Sequence, residues 1–356
     1  MHIIESDITI IGAGLTGLTI AYLLRDKDIK ITIIEARERL GGRIYTQTNN
    51  NDTPLDLGAT WFSNQHTQVL ELLKQLKLKT FNQHYSATAI YEPQPNSKHQ
   101  IVALPQNNES SYRLVGGTSH LINTLYQHIK PTEVKHNEIV TSITQENAFV
   151  YLKTNTSVYK SGLVISTLPP NLFDSTITVH PELPKEAKYI MQNTHTWMGD
   201  SIKVGLKYST PFWKENNLSG TIFSNAGPIT EFYDHSNYQN NLYALKGFLK
   251  SDYFSITKEE RLTLITNQLK KYYGDSVKNY TAYEELVWIK EPFTYANYNN
   301  SVFPHTNNGH AIYKTPFLNK KLYIAGTETS ATFSGKMEGA IKSAQYICKL
   351  IEELKY

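Results

Sequence analysis

The feature that most constrains this chain is Gly12-Ala13-Gly14-Leu15-Thr16-Gly17, three glycines set between a strand-like run and a helix-like one. Ile8, Ile10 and Ile11 form a short apolar run that ends at Gly12. Leu15, Leu18, Ala21, Tyr22 and Leu24 then fall on one face of a helix. A second β-rich run, Ile29 to Ile34, ends at the acidic Glu35. Strand, glycine turn, helix, strand and acid in that order make a dinucleotide-binding unit. Gly12 allows the tight turn, Gly14 lets a pyrophosphate approach the backbone, and Gly17 lets the helix pack closely on the strand. The helix start at Leu15 and Thr16 presents unpaired N–H groups to phosphate. Glu35 can accept two hydrogen bonds from ribose hydroxyls.

Composition narrows the remaining choices. The 35 basic and 32 acidic side chains leave a net charge of +3, too balanced to indicate a nucleic-acid partner. A single cysteine, Cys348, excludes an intrachain disulfide, a cysteine-rich metal site and a Cys-x-x-Cys redox pair, so no metal is expected. No apolar run reaches about 18 residues, so no membrane anchor is expected. With no targeting pattern at the N-terminus, the chain reads as cytoplasmic. Its 356 residues favour two domains.

Which dinucleotide is at issue is indicated by Glu35-Ala36-Arg37-Glu38-Arg39-Leu40-Gly41-Gly42-Arg43. Near the other end, Lys321 to Ala325 reads as a strand leading into Gly326-Thr327-Glu328, and Gly335-Lys336-Met337-Glu338-Gly339-Ala340 opens a helix. Met337, Ala340, Ile341, Ala344, Ile347, Cys348, Ile351 and Leu354 lie on one face of it. With these two strings the sequence resembles the flavin-dependent amine oxidase superfamily over nearly its whole length. The resemblance implies an α/β fold: an FAD-binding Rossmann-like (GR2-type) parallel-sheet domain with an interleaved α+β substrate domain. Residues 1–78, 113–192 and 289–356 would form the first, and 79–112 and 193–288 the second.

The resemblance also implies the cofactor, FAD, and its contacts. These are Gly12, Gly14, Leu15, Thr16, Gly17, Glu35, Ala36, Arg37, Gly42 and Arg43, then Gly58, Ala59, Thr60 and Trp61 in a segment passing near the flavin. Val140 is implied at the adenine, with Gly326, Glu328, Lys336, Met337 and Ala340 from the C-terminal signature. Arg43 would meet the pyrophosphate and Glu328 the ribityl–phosphate chain. The Met337 N–H would meet the flavin pyrimidine oxygen, where reduced flavin carries negative charge. In monoamine oxidases a cysteine joins the flavin covalently; here that position is Asn297, so non-covalent FAD is expected.

The middle of the chain gives local expectations. Gln68 to Leu78 and the stretch through Leu121, Ile122, Leu125 and Ile129 read as helices, with strands around 138–143, 148–152 and 162–167. Lys79 to Ser111 reads as irregular, with Pro93, Pro95 and Pro105. Further strands are expected near 202–208, 220–224, 230–234 and 243–249. A helix from Lys258 to Tyr273 follows the capping pair Thr257 and Glu260 and stops at Gly274. The segment 79–112 is too short for the helices that relatives place there, implying a more open site, a bulky or tethered substrate, or closure by a partner chain.

Four residues carry the expected chemistry. Lys203 matches the family lysine that holds water over flavin N5. Tyr298 matches one wall of the aromatic cage that grips the amine, and Trp288 a tryptophan near the flavin ring. The second cage wall is Lys336 here, a cation that would favour an anionic substrate. The leading expectation is therefore an FAD-dependent oxidoreductase acting on a small molecule. It would oxidise an amine or amino-acid C–N bond by hydride transfer to N5, with O2 as acceptor and H2O2 released. The alternatives are a flavin-dependent desaturase or isomerase, a renalase-like oxidase of a non-amine substrate, and a flavin-bound interaction subunit without turnover.

Overall fold

The computed structural model describes residues 3–48, 53–95, 97–105, 110–129, 132–215, 218–298 and 301–354. Its first sheet grows from the isoleucine runs at the N-terminus. Ile3–Ile11 lies between Ile31–Ile34 and Val158–Ser166, parallel to both, and Glu133–Lys135 extends the parallel set beyond Ile31–Ile34. Phe149–Thr154, Val140–Glu146 and Thr178–His180 continue the other side, and Leu322–Ile324 also pairs parallel with Val158–Ser166. Parallel strands buried on both faces read as continuous apolar runs, and Ile31–Ile34 is buried at all four positions.

Helices cover both faces of this sheet. On one side lie α1 (Leu15–Leu24), α2 (Thr67–Gln75), α3 (Ser119–His128) and α7 (Met337–Glu353), whose apolar side chains form one core with Ile8, Ile10, Ile31 and Ile33. Between α3 and α7 in sequence come α4 (Pro170–Thr176), α5 (Lys185–Gln192) and α6 (Lys258–Tyr273). The core on the opposite face joins Phe173 of α4 and Ala187 and Met191 of α5 to Ile11, Ile34 and Ile324. Helix α1 is buried almost all round, not on the single face its periodicity suggested. Leu354, expected on the apolar face of α7, is 40% exposed; the helix ends at Glu353, one residue before it.

The second sheet has seven strands in the order 280–287, 202–208, 243–249, 229–234, 222–224, 88–92, 100–103. Here the sequence reading needs correction. Lys79 to Ser111 is not irregular: it carries strands Thr80–Asn82, Thr88–Glu92, Gln100–Ala103 and Ser111–Leu114. Thr88–Glu92 pairs with Ile222–Ser224, a partner far away in sequence that local pattern cannot reveal. Ile265, Leu269, Tyr272 and Tyr273 of α6 pack on this sheet with Val204, Leu206 and Ile222. The expected capping box is present: Thr257 Oγ1 accepts the Glu260 N–H, and Glu260 accepts the Thr257 N–H.

Register across this sheet decides what faces the first. Lys203 is opposite Phe248, and Phe248 opposite Glu231; Gly205 is opposite Lys246, and Lys246 opposite Tyr233. Paired residues point to the same face of a sheet. These two rows therefore share one face, which looks toward the Leu57–Trp61 segment.

Candidate active site

A cavity of about 970 Å³ runs between the two sheets. One half is built by the glycine turns. At Gly12 the backbone has φ +102°, and a methyl group on Gly17 would sit 2.1 Å from the Gly12 carbonyl oxygen. Both positions therefore need glycine. The N-termini of α1 and α7 open into the same space, at Leu15 and Thr16 and at Met337 and Ala340. Neither helix start, at Gly14 or Lys336, carries a side-chain cap. Thr16 Oγ1 donates to the Ala340 carbonyl at 3.3 Å and ties the two starts together. Two uncapped helix starts facing one cavity offer N–H donors to anionic oxygens.

Glu35 is buried beside them, and its carboxylate accepts the Ala13 N–H at 2.8 Å and the Arg37 N–H at 2.9 Å. It thus holds the glycine turn as well as facing the cavity. Ala36, Arg37, Gly42, Arg43, Val140, Thr167 and Gly326 complete this half. Arg37 donates to Thr294 Oγ1 at 2.7 Å and to Glu291 at 3.1 Å. Arg43 forks onto the fully buried Glu328 at 2.7 and 2.8 Å and donates to the Trp197 carbonyl at 3.2 Å. Glu328 therefore stands behind Arg43 and does not itself line the space.

The other half is formed by the second sheet and the Leu57–Trp61 segment. That segment is held at several points. Trp288 Nε1 donates to the Leu57 carbonyl at 2.8 Å and Lys203 Nζ to the Gly58 carbonyl at 2.6 Å. Gly58 and Ala59 donate their own N–H groups to the Tyr45 and Arg43 carbonyls, joining the segment to the Gly-Gly-Arg turn. Ala59, Thr60, Trp61, Lys203, Phe248, Trp288, Glu231 and Tyr233 all line the cavity. Burial pushes the Lys203 amine down to about 8, against the pull of Asp56. Trp61 meets Tyr233 edge-on at 5.2 Å and Phe248 at 6.2 Å, and Lys203 Nζ lies 5.2 Å from the Phe248 ring centre.

The expected sites are thus mostly brought together, with four exceptions, of which Glu328, behind Arg43, is one. Gly17 and Gly58 act through packing behind the surface, and Tyr298 lies apart. Its hydroxyl accepts the Thr196 N–H at 2.7 Å and donates to the Thr194 carbonyl at 3.2 Å, on the wall of a smaller neighbouring cavity. Lys336 does line the large cavity but is exposed, with its amine 5.9 Å from the Phe333 ring. Trp197 was missed by sequence reasoning. It packs on Gly335, where a methyl group would come within 2.5 Å of it, and stacks on His305 at 4.6 Å. Glu231, Tyr233 and Phe248 were missed too. Their two strands, Ile229–Asp234 and Tyr243–Leu249, were legible, but which face meets the cavity follows from pairing with Lys203.

The arrangement fits FAD: the uncapped start of α1 and the glycine turns suit the pyrophosphate, the uncapped start of α7 suits the anionic edge of a flavin, a buried carboxylate suits the ribose, and an aromatic chamber with a buried lysine lies at the far end. The sequence profile for flavin-containing amine oxidoreductases matches residues 96–351, and that for NAD(P)-binding Rossmann-like domains matches residues 10–76. Flavin-containing amine oxidase B of Sus scrofa is 26% identical over 96% of this chain and 85% of its own length. Flavin-containing amine oxidase A of Bos taurus is 24% identical over 95% and 83%. The solved structure of a putrescine oxidase bound to putrescine superposes with a TM-score of 0.85 at 21% identity, covering 99% of this chain and 100% of that one. Cyclohexylamine oxidase from Brevibacterium oxydans IH-35A gives 0.86 at 18% identity, covering 99% and 100%. At these identities the two structures speak to the fold alone. The family match spans most of the chain, and the chain belongs to the flavin-containing amine oxidoreductases, as an FAD-dependent oxidoreductase.

Proposed function

We propose that this protein oxidises a primary or secondary amine whose far end carries a second cationic group, with O2 as final acceptor and H2O2 as product. The observation that carries the reading is the chamber wall. Glu231 lines the cavity from the second-sheet face that carries Lys203, which Glu284 on the same face does not, and it stands among Trp61, Tyr233 and Phe248. Tyr233 donates to Glu231 Oε2 at 2.7 Å and leaves Oε1 for a cation. Aromatic faces beside a carboxylate suit an ammonium group. Lys336, which the sequence reading set against amines, is exposed at the cavity wall, as Glu231 is, but its amine lies 5.9 Å from the Phe333 ring, whereas Glu231 stands on the face that carries Lys203.

FAD, bound without a covalent link, supplies the hydride acceptor at flavin N5. The chain supplies the rest. Glu35 and the start of α1 hold the cofactor's ribose and phosphates, and the start of α7, at Met337, meets the flavin pyrimidine oxygen. Trp288 and Lys203 fix the Leu57–Trp61 segment. Lys203, buried and pushed down to about 8, exists partly as a neutral amine near physiological pH and can take a proton from a substrate ammonium. Trp197 serves as a wall beside Gly335, while Tyr298 anchors the 194–196 backbone that leads to it. The division expected from the sequence accommodates these roles. Residues 1–78, 113–192 and 289–356 carry the cofactor contacts, and 79–112 and 193–288 form the substrate chamber.

The test is a comparison of steady-state oxidation of a diamine, the matching monoamine and the matching ω-amino acid. The account expects the diamine to be preferred and Glu231→Gln to erase that preference. A preference for the amino acid that Lys336→Met abolished would favour the anionic-substrate reading instead.

A further inference from the structure

Gln83 follows the short strand Thr80–Asn82, in the segment that the sequence reads as irregular, and none of the roles above uses it. It is buried, at 5% exposure, and does not line the large cavity. Its side-chain amide meets three groups. Oε1 accepts the Trp61 indole N–H at 3.0 Å, and Nε2 donates to the Asp234 carbonyl at 2.6 Å and to the His84 carbonyl at 3.0 Å. The indole can only donate and the two carbonyls can only accept, so a single orientation of the amide satisfies all three. The Gln83 backbone N–H donates to the Ser111 carbonyl at 2.7 Å and fixes the point from which the side chain reaches.

What Gln83 holds is a wall of the chamber. Trp61 lines the cavity with Glu231, Tyr233 and Phe248. Its ring meets Tyr233 edge-on at 5.2 Å and Phe248 at 6.2 Å, and the buried Lys246 Nζ lies 4.5 Å from the ring centre. Those contacts set the distance from the ring to its neighbours. They do not tell one edge of the indole from the other, because rotation about χ2 is broad and roughly two-fold. Of the contacts named, only the bond at Nε1 does. The far end of the amide is tied to Asp234, at the end of the strand Ile229–Asp234 that also carries Glu231 and Tyr233. Gln83 therefore bridges the Leu57–Trp61 segment to that strand and sets the indole relative to Glu231.

We propose that Gln83 is a positioning residue for substrate selection: it holds the Trp61 indole at the chamber wall beside Glu231, and so shapes the place that takes the substrate's second cationic group without touching the substrate itself. This rests on the amine-oxidising reading above. Gln83 acts at the far cation and not at the carbon that gives up hydride. Its loss therefore falls on substrate affinity and spares the limiting rate of flavin reduction.

The test uses the FAD-loaded protein. With ¹⁵N-labelled tryptophan, the Trp61 indole N–H signal is identified among those of the four tryptophans by its loss in Trp61→Phe. In Gln83→Met that signal should move and exchange with solvent faster, while Gln83→Glu, which keeps an acceptor for the indole, should leave it nearer the parent position. In anaerobic stopped-flow reduction, Gln83→Met should raise the half-saturating diamine concentration about three- to tenfold, the effect of one lost hydrogen bond, and keep the limiting rate within about twofold. The matching monoamine should be affected less. In the Trp61→Phe background, which has no indole N–H, Gln83→Met should cost nothing further, whereas a loss unrelated to that bond would add in full. An unmoved indole signal, losses that add, or a limiting rate that falls at unchanged half-saturation overturns the proposal. If Gln83→Met fails to fold, the parent protein decides: a Trp61 indole N–H that exchanges as fast as that of free tryptophan overturns it. A flavin that no amine reduces, with the indole signal shifted as expected, would overturn the amine reading and the selecting role with it, and leave the clamp on Trp61 standing.

Discussion

Replacing Glu35 by alanine removes more than the proposed ribose contact. Its carboxylate accepts the Ala13 N–H at 2.8 Å and the Arg37 N–H at 2.9 Å. Ala13 is fully buried and Arg37 half-buried, so the first N–H would lose its acceptor outright and the second would regain some water. A stranded buried donor costs about 1–3 kcal/mol, which puts the loss for the cofactor-free protein at about 2–4 kcal/mol. FAD binding should weaken separately by about 1–3 kcal/mol, roughly 5- to 150-fold, through the lost ribose hydrogen bonds. Glu35→Gln keeps one acceptor oxygen and turns the other into a donor facing an N–H, so it should fall between the two. Urea unfolding of the cofactor-free protein reads the first effect and quenching of FAD fluorescence reads the second. Unchanged unfolding with weakened FAD binding would refute the argument that Glu35 holds the glycine turn. Weakened folding with unchanged FAD affinity would refute its ribose role.

Further outcomes can be checked beside this one. FAD should leave the polypeptide on acid or heat denaturation, because Asn297 stands where a cysteine link would form; flavin remaining with the denatured chain would contradict this. Lys203→Met should slow anaerobic flavin reduction while FAD stays bound. In the parent protein, reduction should rise as pH passes upward through about 8, and that dependence should vanish in the variant, as read by stopped-flow absorbance. Arg261 forks onto Glu285 at 2.6 and 2.9 Å in a largely buried pair. Glu285→Gln should cost about 3–5 kcal/mol in urea unfolding by leaving the guanidinium uncompensated. The Glu285 carboxyl is held below its ordinary range by Arg261 and Tyr283, against the effect of burial, which is the largest single influence. Its contribution to stability is present above the ordinary carboxylate range and is lost as pH falls through the lowered value; the variant should lack that acid limb.

The cofactor half of the site was readable because its physics is local. Gly12, Gly14 and Gly17 answer to a turn, a close approach and a helix–strand contact within six residues. Glu35 follows at the end of the next strand, and the capping box at Thr257 and Glu260 is equally self-contained. The substrate half is not local. Strand Ile202–Tyr208 is buried at every position, so alternation could not say which way Lys203 points. Lys246, Glu231 and Tyr233 acquire meaning only through register with that strand, and no spacing in the sequence encodes it. Thr88–Glu92 was hidden for the same reason, its partner being Ile222–Ser224. Trp197 and Tyr298 show a third limit. Which aromatic side chain reaches a cavity depends on the path of an irregular segment, and here hydrogen bonds to Thr194 and Thr196 hold the tyrosine aside.

The central claim is that this chamber removes hydride from an amine. The most direct measurement mixes the FAD-loaded protein with a diamine in the absence of oxygen and follows the visible flavin absorbance. The account predicts that the flavin bleaches at a rate that rises and saturates with diamine concentration, and that admitting oxygen restores the colour and releases peroxide. A flavin that stays bound and oxidised through a panel of diamines, monoamines and amino acids would contradict it.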